Sequence, residues 1–169
     1  MTVMVRHAGR EDAPTLLGLI TALADFEQLD PPDAGARARL LQDGWPEEGG
    51  KPRFSAWLAE VESETEAGKQ AVGYAITFET YSSFLALPTL YLEDLFILPD
   101  YRRQSVGSTL IRHLVREAWE TGCGRMEWVV LDWNTGAQQF YQRLGASHLT
   151  EWQTYRLVRE EMKTILDET

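Results

Sequence analysis

The sequence predicts an α/β fold in which a mixed, mostly antiparallel central sheet carries helices on both faces. Three observations lead there. Apolar, β-rich runs of strand length recur at 3–6, 54–61, 71–80 and 90–97, bounded by polar or turn-rich stretches. Leu16, Leu19, Ile20 and Leu23 precede most of these runs at helical spacing, and Leu110, Ile111, Leu114, Val115 and Ala118 follow them in the same way. No internal repeat, heptad run or low-complexity tract interrupts the 169 residues, a length that suits one domain spanning 1–169.

Taken in order, Val3 to Arg6 reads as an edge strand. Glu11, Asp12 and Pro14 suit the first turn of a helix that ends near Phe26 to Gln28. Pro31, Pro32 and Asp33 break the chain and cap a second short helix from Ala34 to about Asp43, before the turn-rich GWPEEGGKP loop. Phe54–Val61 and Ala71–Thr80 form an antiparallel pair joined by SETEAGKQ, and Leu90–Ile97 is the third strand. A helix with Arg112, Arg116, Glu117 and Glu120 outside its apolar stripe then runs to Gly122 or Gly124. Arg125–Leu131 is β-rich, Gly136–Leu144 is a short helix closed by Gly145, His148–Val158 supplies a final hairpin, and Arg159–Leu166 is a short helical tail.

Composition narrows the function classes. Sixteen basic against twenty-six acidic residues give a net charge of −10, which argues against a nucleic-acid surface and weakly favours cationic ligands. No apolar run approaches the ~20 residues that span a bilayer, and the first residues carry no secretory h-region, so no membrane partner and a cytoplasmic location are expected. A single Cys123 excludes an intrachain disulfide, and His7, His113 and His148 share no metal-ligand spacing, so no metal is expected. Hydrolase and nucleotide signatures such as G-x-S-x-G, H-E-x-x-H and a Walker loop are absent.

The most informative segment is YLEDLFILPDYRRQSVGSTLI, Tyr91 to Ile111. An apolar strand passes through Pro99 into a basic, Gly-containing turn and then into an amphipathic helix. The turn Arg102 to Gly107 presents backbone N–H groups where the helix dipole favours an anion, with Arg102 and Arg103 adding mobile positive charge, an arrangement suited to a pyrophosphate. On the strand, Glu93 and Asp94 are adjacent, so strict alternation sends them to opposite faces and only one toward a cleft. Downstream, in LDWNTGAQQFYQRLGA (Leu131 to Ala146), Asn134 is placed to cap the short helix.

These segments resemble the GNAT N-acetyltransferase superfamily. Its coenzyme A pattern [RQ]-x-x-G-x-[GA] falls on Arg102, Arg103, Gln104, Ser105, Val106 and Gly107, and its F-Y-x-x-x-G-A ending on Phe140 to Ala146. YLEDLF, ALADFE (Ala22 to Glu27), LDWN and FYQRLGAS look like the diamine (spermidine/spermine) branch and its bacterial relatives, over roughly residues 3 to 160. One position departs, because Ser105 stands at the family's first glycine. A serine held there at positive φ costs about 1 kcal/mol and crowds the phosphate, although its hydroxyl is also a phosphate donor.

The resemblance implies acetyl-CoA as cosubstrate and direct attack in a ternary complex. It implies pyrophosphate binding by Arg102, Arg103, Gln104, Ser105, Val106, Gly107 and Ser108. It implies that the backbone of Leu95, Phe96 and Ile97 pairs with the pantetheine arm as if with a strand, an amide near Leu95 polarising the thioester carbonyl. Asn134 faces the same arm, a role compatible with capping. Tyr141 protonates the departing thiolate, as a phenol of pKa ~10 can do within hydrogen-bond reach. Glu93 attracts the ammonium and accepts its proton, directly or through water, while Phe26 and Glu27 line the amine pocket. The acidic residue expected late in the chain falls on Gln153, with Glu151 two positions earlier and Tyr155-Arg156 replacing the family's W-R pair. The expected acceptor is a polyamine, diamine or lysine-like amine. Aminoglycoside or protein amines, or a coenzyme A binding or sensing module that has lost catalysis, are the alternatives. A homodimer is also implied.

Overall fold

Five strands form one sheet in the order β1-β2-β3-β4-β5 in a computed structural model that describes residues 2–47, 49–62 and 68–167. The strands are β1 (Val3–His7), β2 (Ser55–Glu62), β3 (Lys69–Ser82), β4 (Leu87–Ile97) and β5 (Arg125–Glu127). The first four pair antiparallel, and β5 joins β4 in parallel. The helices are α1 (Ala13–Glu27), α2 (Ala34–Gly44), α3 (Val106–Glu120), α4 (Thr135–Arg143) and α5 (Arg159–Asp167). Residues up to Val129 make one compact unit and those from Val130 a second. Part of the expected SETEAGKQ connection, residues 63–67, lies outside the described residues.

Alternation along the strands divides the first unit's core between two faces. Ala56, Leu58, Tyr74, Ile76 and Phe96 cluster with Ala8 and with Leu16 and Leu19 of α1. Trp57, between Ala56 and Leu58, points the other way and meets His113 of α3 at 4.8 Å between ring centroids. Helices therefore cover both faces, and the α/β expectation is met. Arg6 ties β1 to its neighbours by donating to Asp12 at 2.6 and 2.7 Å and to Glu60 at 3.0 and 2.8 Å, which holds the Asp12 carboxyl below its usual pKa.

One irregularity sets the site. Ile76 pairs with Asp94 but Thr77 with Leu92, so Glu93 is an extra, bulged residue on β4. A bulge bends its strand and increases the local twist. The parallel ladder to β5 ends just before it, at Tyr91, which accounts for a β5 of three residues where 125–131 was expected. At the far end of α3, Cys123 N–H bonds Ala118 O at 2.9 Å, a closure that needs the left-handed φ of +76° at Gly122.

In the second unit, Asn134 caps α4 and Gly145, with φ of +89°, follows it, as expected. The hairpin expected over His148–Val158 does not form: 145–158 contains no strand. Leu149, Trp152 and Tyr155 recur every third residue rather than every second, so neither strand has an apolar face, and an isolated two-stranded hairpin is marginal in any case. Trp152 and Tyr155 are 75% and 86% exposed. The helical tail forms as α5.

Candidate active site

The open edge of β4 is legible from its hydrogen bonds. Leu98 N–H bonds Val72 O at 2.9 Å, so Leu98 and Val72 are a hydrogen-bonded pair, as are Phe96 with Tyr74. The residues that alternate with them, Leu95 and Ile97, direct their N–H and C=O groups away from β3. On that side no strand pairs with β4 beyond Tyr91 among the described residues. The N–H groups of Leu95 and Ile97 and the Leu95 C=O thus line an edge available to an extended ligand, the Ile97 C=O accepting from Arg102, while the Phe96 side chain is buried beneath.

At the end of this edge the chain turns into α3. Arg103 and Ser105 hold left-handed conformations, with φ of +60° and +67°. Ser105 is the residue preceding α3 and makes no side-chain cap; its carbonyl accepts from Thr109 N–H and from Thr109 Oγ1, both at 2.9 Å. The amides of Val106, Gly107 and Ser108 open the helix, where no intrahelical carbonyl precedes them. The Val106 side chain is buried, so only its main chain is available to a ligand. Gln104 Nε2 donates to Asp100 O at 2.6 Å and stiffens the turn.

Arg102 corrects an expectation. Its guanidinium is not a mobile charge beside the turn: Nε donates to Ile97 O at 2.9 Å, and Cζ lies 4.4 Å from the Phe26 ring centroid and 5.4 Å from that of Phe96. A planar cation stacks favourably on two adjacent aromatic rings and satisfies a carbonyl that the sheet leaves open. Burial lowers its pKa. Arg103 is exposed and is the free basic residue of the motif.

Across the sheet lies an acidic group. Tyr74 O–H donates to Asp94 Oδ2 at 3.1 Å, and the phenol's pKa is raised by burial and then by the charges of Asp94, Glu27 and Glu93. Burial pushes the Asp94 carboxyl up to about 6, opposed by the Tyr74 hydrogen bond and assisted by Glu93 and Glu27. Glu93 is exposed at the bulge. Strict alternation would send Glu93 and Asp94 to opposite faces; the bulge interrupts that alternation at Glu93, and the charges of both raise the Tyr74 pKa. Glu27, at the last position of α1, joins them, and Phe26 beside it packs 6.2 Å from the Phe96 ring. Asp94 and Tyr74 were not among the expected site residues. The phenol on a core-facing strand position was the available signal, since a buried hydroxyl requires a partner. Among the described residues no group of three His, Cys, Asp or Glu is arranged to hold a metal ion.

The second unit carries Asn134, Tyr141 and Gln153. Asn134 Oδ1 accepts from Ala137 N–H at 3.2 Å, which leaves its Nδ2 as the donor for any further role. Tyr141 lies two turns along the same helix, its ring 5.2 Å from that of Phe140, and burial pushes its pKa up to about 12. Gln153 sits in the strandless stretch after α4 and accepts from Tyr155 O–H at 3.0 Å.

An uncapped helix start beside an open strand edge fits a phosphorylated, extended acyl carrier, and the carboxylates fit a cationic acceptor. This is the equipment of an acetyl-CoA-dependent N-acetyltransferase. The acetyltransferase (GNAT) family pattern matches residues 20–146, and the chain belongs to that family. It is 34% identical over 168 residues to thialysine N-epsilon-acetyltransferase of Bos taurus, covering 96% of each chain. It is 33% identical to spermidine/spermine N(1)-acetyltransferase-like protein 1 of Homo sapiens over 94% of this chain and 23% of that one. The solved structure of AAC(6')-Iy in complex with the bisubstrate analog CoA-S-monomethyl-acetylneamine shares the fold, with a TM-score of 0.70 at 21% identity over 94% of this chain and 99% of that one.

Proposed function

We propose that the enzyme transfers an acetyl group from acetyl-CoA to a primary amine of a small cationic acceptor, a polyamine, diamine or lysine-like compound, by direct attack in a ternary complex. The observation that carries this is a set of carboxylates acting on one buried phenol: Asp94 of β4 accepts from Tyr74 O–H, and the charges of Glu27 at the end of α1 and of Glu93 on β4 reach the same hydroxyl. Relatives named for thialysine and for spermidine/spermine support the same acceptor class.

Acetyl-CoA brings the activated thioester; the rest is done by the chain. The amides of Val106, Gly107 and Ser108, with Arg103, Gln104 and Ser105 around them, hold the pyrophosphate. Leu95, Phe96 and Ile97 fix the pantetheine arm through main-chain groups, Arg102 releasing the Ile97 carbonyl, and the Nδ2 of Asn134 contributes to the same arm. Leu95 N–H donates to the thioester carbonyl. An ammonium of pKa ~10 must lose a proton before it attacks, and Glu93, backed by Asp94, draws the cation in and takes that proton directly or through water. Phe26, Glu27 and Gln153 line the acceptor site. Tyr141, whose pKa of about 12 keeps it protonated at neutral pH, donates to the departing sulfur. We further propose a cytoplasmic homodimer. The exposed apolar tip at Phe84, Leu85 and Leu87 supports association, and light scattering tests it by distinguishing the mass of one chain from that of two.

Free-thiol release across an amine panel tests the main reading. Polyamines, diamines and lysine analogues should turn over, with aminoglycosides and neutral amines much slower. Turnover confined to aminoglycosides or to protein amines would replace the acceptor class, and coenzyme A binding without any turnover would reject the acceptor and mechanism as assigned.

A further inference from the structure

We propose that Tyr74 is a positioning residue for this reaction, its buried hydroxyl fixing the orientation and charge of the Asp94 carboxylate at the amine site. The inference rests on the reading of the acidic group given above. Tyr74 is fully buried on β3, its ring 6.4 Å from that of Phe96 directly across the ladder. A phenylalanine would fill that space equally well, so the packing accounts for the ring but not for the oxygen. The hydroxyl is directed instead at the diagonal position of the neighbouring strand, where Asp94 stands opposite Ile76 and accepts at 3.1 Å.

The surroundings explain why such a donor matters. Facing Asp94 are Glu27 from the end of α1, Glu93 from β4 itself and the Tyr74 phenol from β3, while the Arg102 guanidinium lies over the Phe26 and Phe96 rings. Two like charges and burial favour the neutral carboxyl, which has little use as an acceptor of the ammonium proton. A donated O–H favours the carboxylate, and because it comes from a ring locked in the core it also fixes which oxygen remains open to the acceptor.

Tyr74→Phe removes the oxygen and keeps the ring, and Asp94→Asn removes the charge. Wild-type kcat/KM for spermidine should fall as pH drops through about 6, the midpoint of Asp94. In Tyr74→Phe that acidic limb should move up by about one pH unit, so that activity falls roughly fivefold at pH 6 and returns to within roughly twofold of wild type at pH 8.5. Carbon-13 titration of the aspartate carboxyls, which needs no turnover, should show the same upward move for Asp94. If Asp94→Asn abolishes the limb while Tyr74→Phe leaves both limb and carboxyl midpoint in place, the role of Tyr74 is overturned and the amine-site reading stands. If Asp94→Asn retains wild-type activity and limb, the involvement of Asp94 in the amine site falls, and this inference with it.

Discussion

The cofactor side and the amine side of β4 are built from different parts of the polypeptide. From Leu95 to Ser108 the groups proposed to ligate coenzyme A are main-chain N–H and C=O groups, aimed by a strand edge, a turn and a helix start. Around Glu93 the groups proposed to meet the amine are carboxylates, placed by a bulge and the end of α1, with Asp94 held by a buried phenol. The difference teaches where substitution is tolerated. A main-chain site survives a change of side chain provided the backbone conformation holds, which is how Ser105 can occupy a glycine position and Val106 can belong to a binding turn while its side chain is in the core. A side-chain site has less latitude, because burial and then the charges of Glu93 and Glu27 raise the Asp94 pKa, opposed by the Tyr74 hydrogen bond.

The sharpest way to break the comparison is to attack chemistry without touching either binding surface. Tyr141→Phe should lower kcat by roughly 10²–10⁴ while leaving coenzyme A affinity within about twofold, since general acid catalysis contributes on that scale. Pre-steady-state thiol release together with calorimetry separates the two quantities. A variant with the wild-type rate would remove Tyr141 from the mechanism.

On the amine side, Glu93→Gln should reduce kcat/KM for a diamine by roughly 10–100-fold, with coenzyme A affinity unchanged. The acidic limb should also shift, because a like charge beside Asp94 is gone: Asp94 then ionises more readily and the limb moves to lower pH. A weakly basic amine, which arrives already deprotonated, should be far less affected. Equal losses for both acceptors would mean that Glu93 acts on folding or on the cofactor rather than on the ammonium.

How much of this was legible in the sequence follows from the same division. The helices and the turn before α3 are encoded locally, in the apolar spacing of Leu110 to Ala118, in Asp33 and Asn134 as caps and in the Arg102–Gly107 segment, and each forms close to where it was expected. Glu93, Glu27 and Phe26 were identified through family resemblance. Asp94 and Tyr74 were not, because their pairing depends on a register between two strands and on a one-residue bulge, neither of which leaves a mark in a single sequence. The capture of Arg102 by two rings from different elements is likewise a tertiary event. The missing hairpin at 148–158 shows the converse: β-forming residues without period-two order do not make strands on their own.

The main-chain side should respond more gently. Arg103 is exposed and, in the proposed site, supplies charge to an anion held by amides, so Arg103→Glu should weaken coenzyme A binding by roughly 10-fold or more, an effect that shrinks as salt rises. Titration calorimetry at two ionic strengths checks it, with the melting temperature as a control for fold.

Ser105→Gly is the smallest change and the closest test of main-chain recognition. Serine at φ of +67° carries a conformational cost of about 1 kcal/mol that glycine avoids, although glycine gives part of that back through the greater freedom of its unfolded chain. Stability should therefore rise by less than about 1 kcal/mol, and the amides of α3 should keep their positions because the turn already has the geometry glycine prefers. Coenzyme A should bind as well as to wild type or a few-fold tighter, the phosphate approaching a backbone with no side chain in its way. A tenfold loss of affinity would show that the Ser105 hydroxyl is a phosphate ligand in its own right, and the contrast between a main-chain cofactor site and a side-chain amine site would then hold for the strand edge but not for the turn.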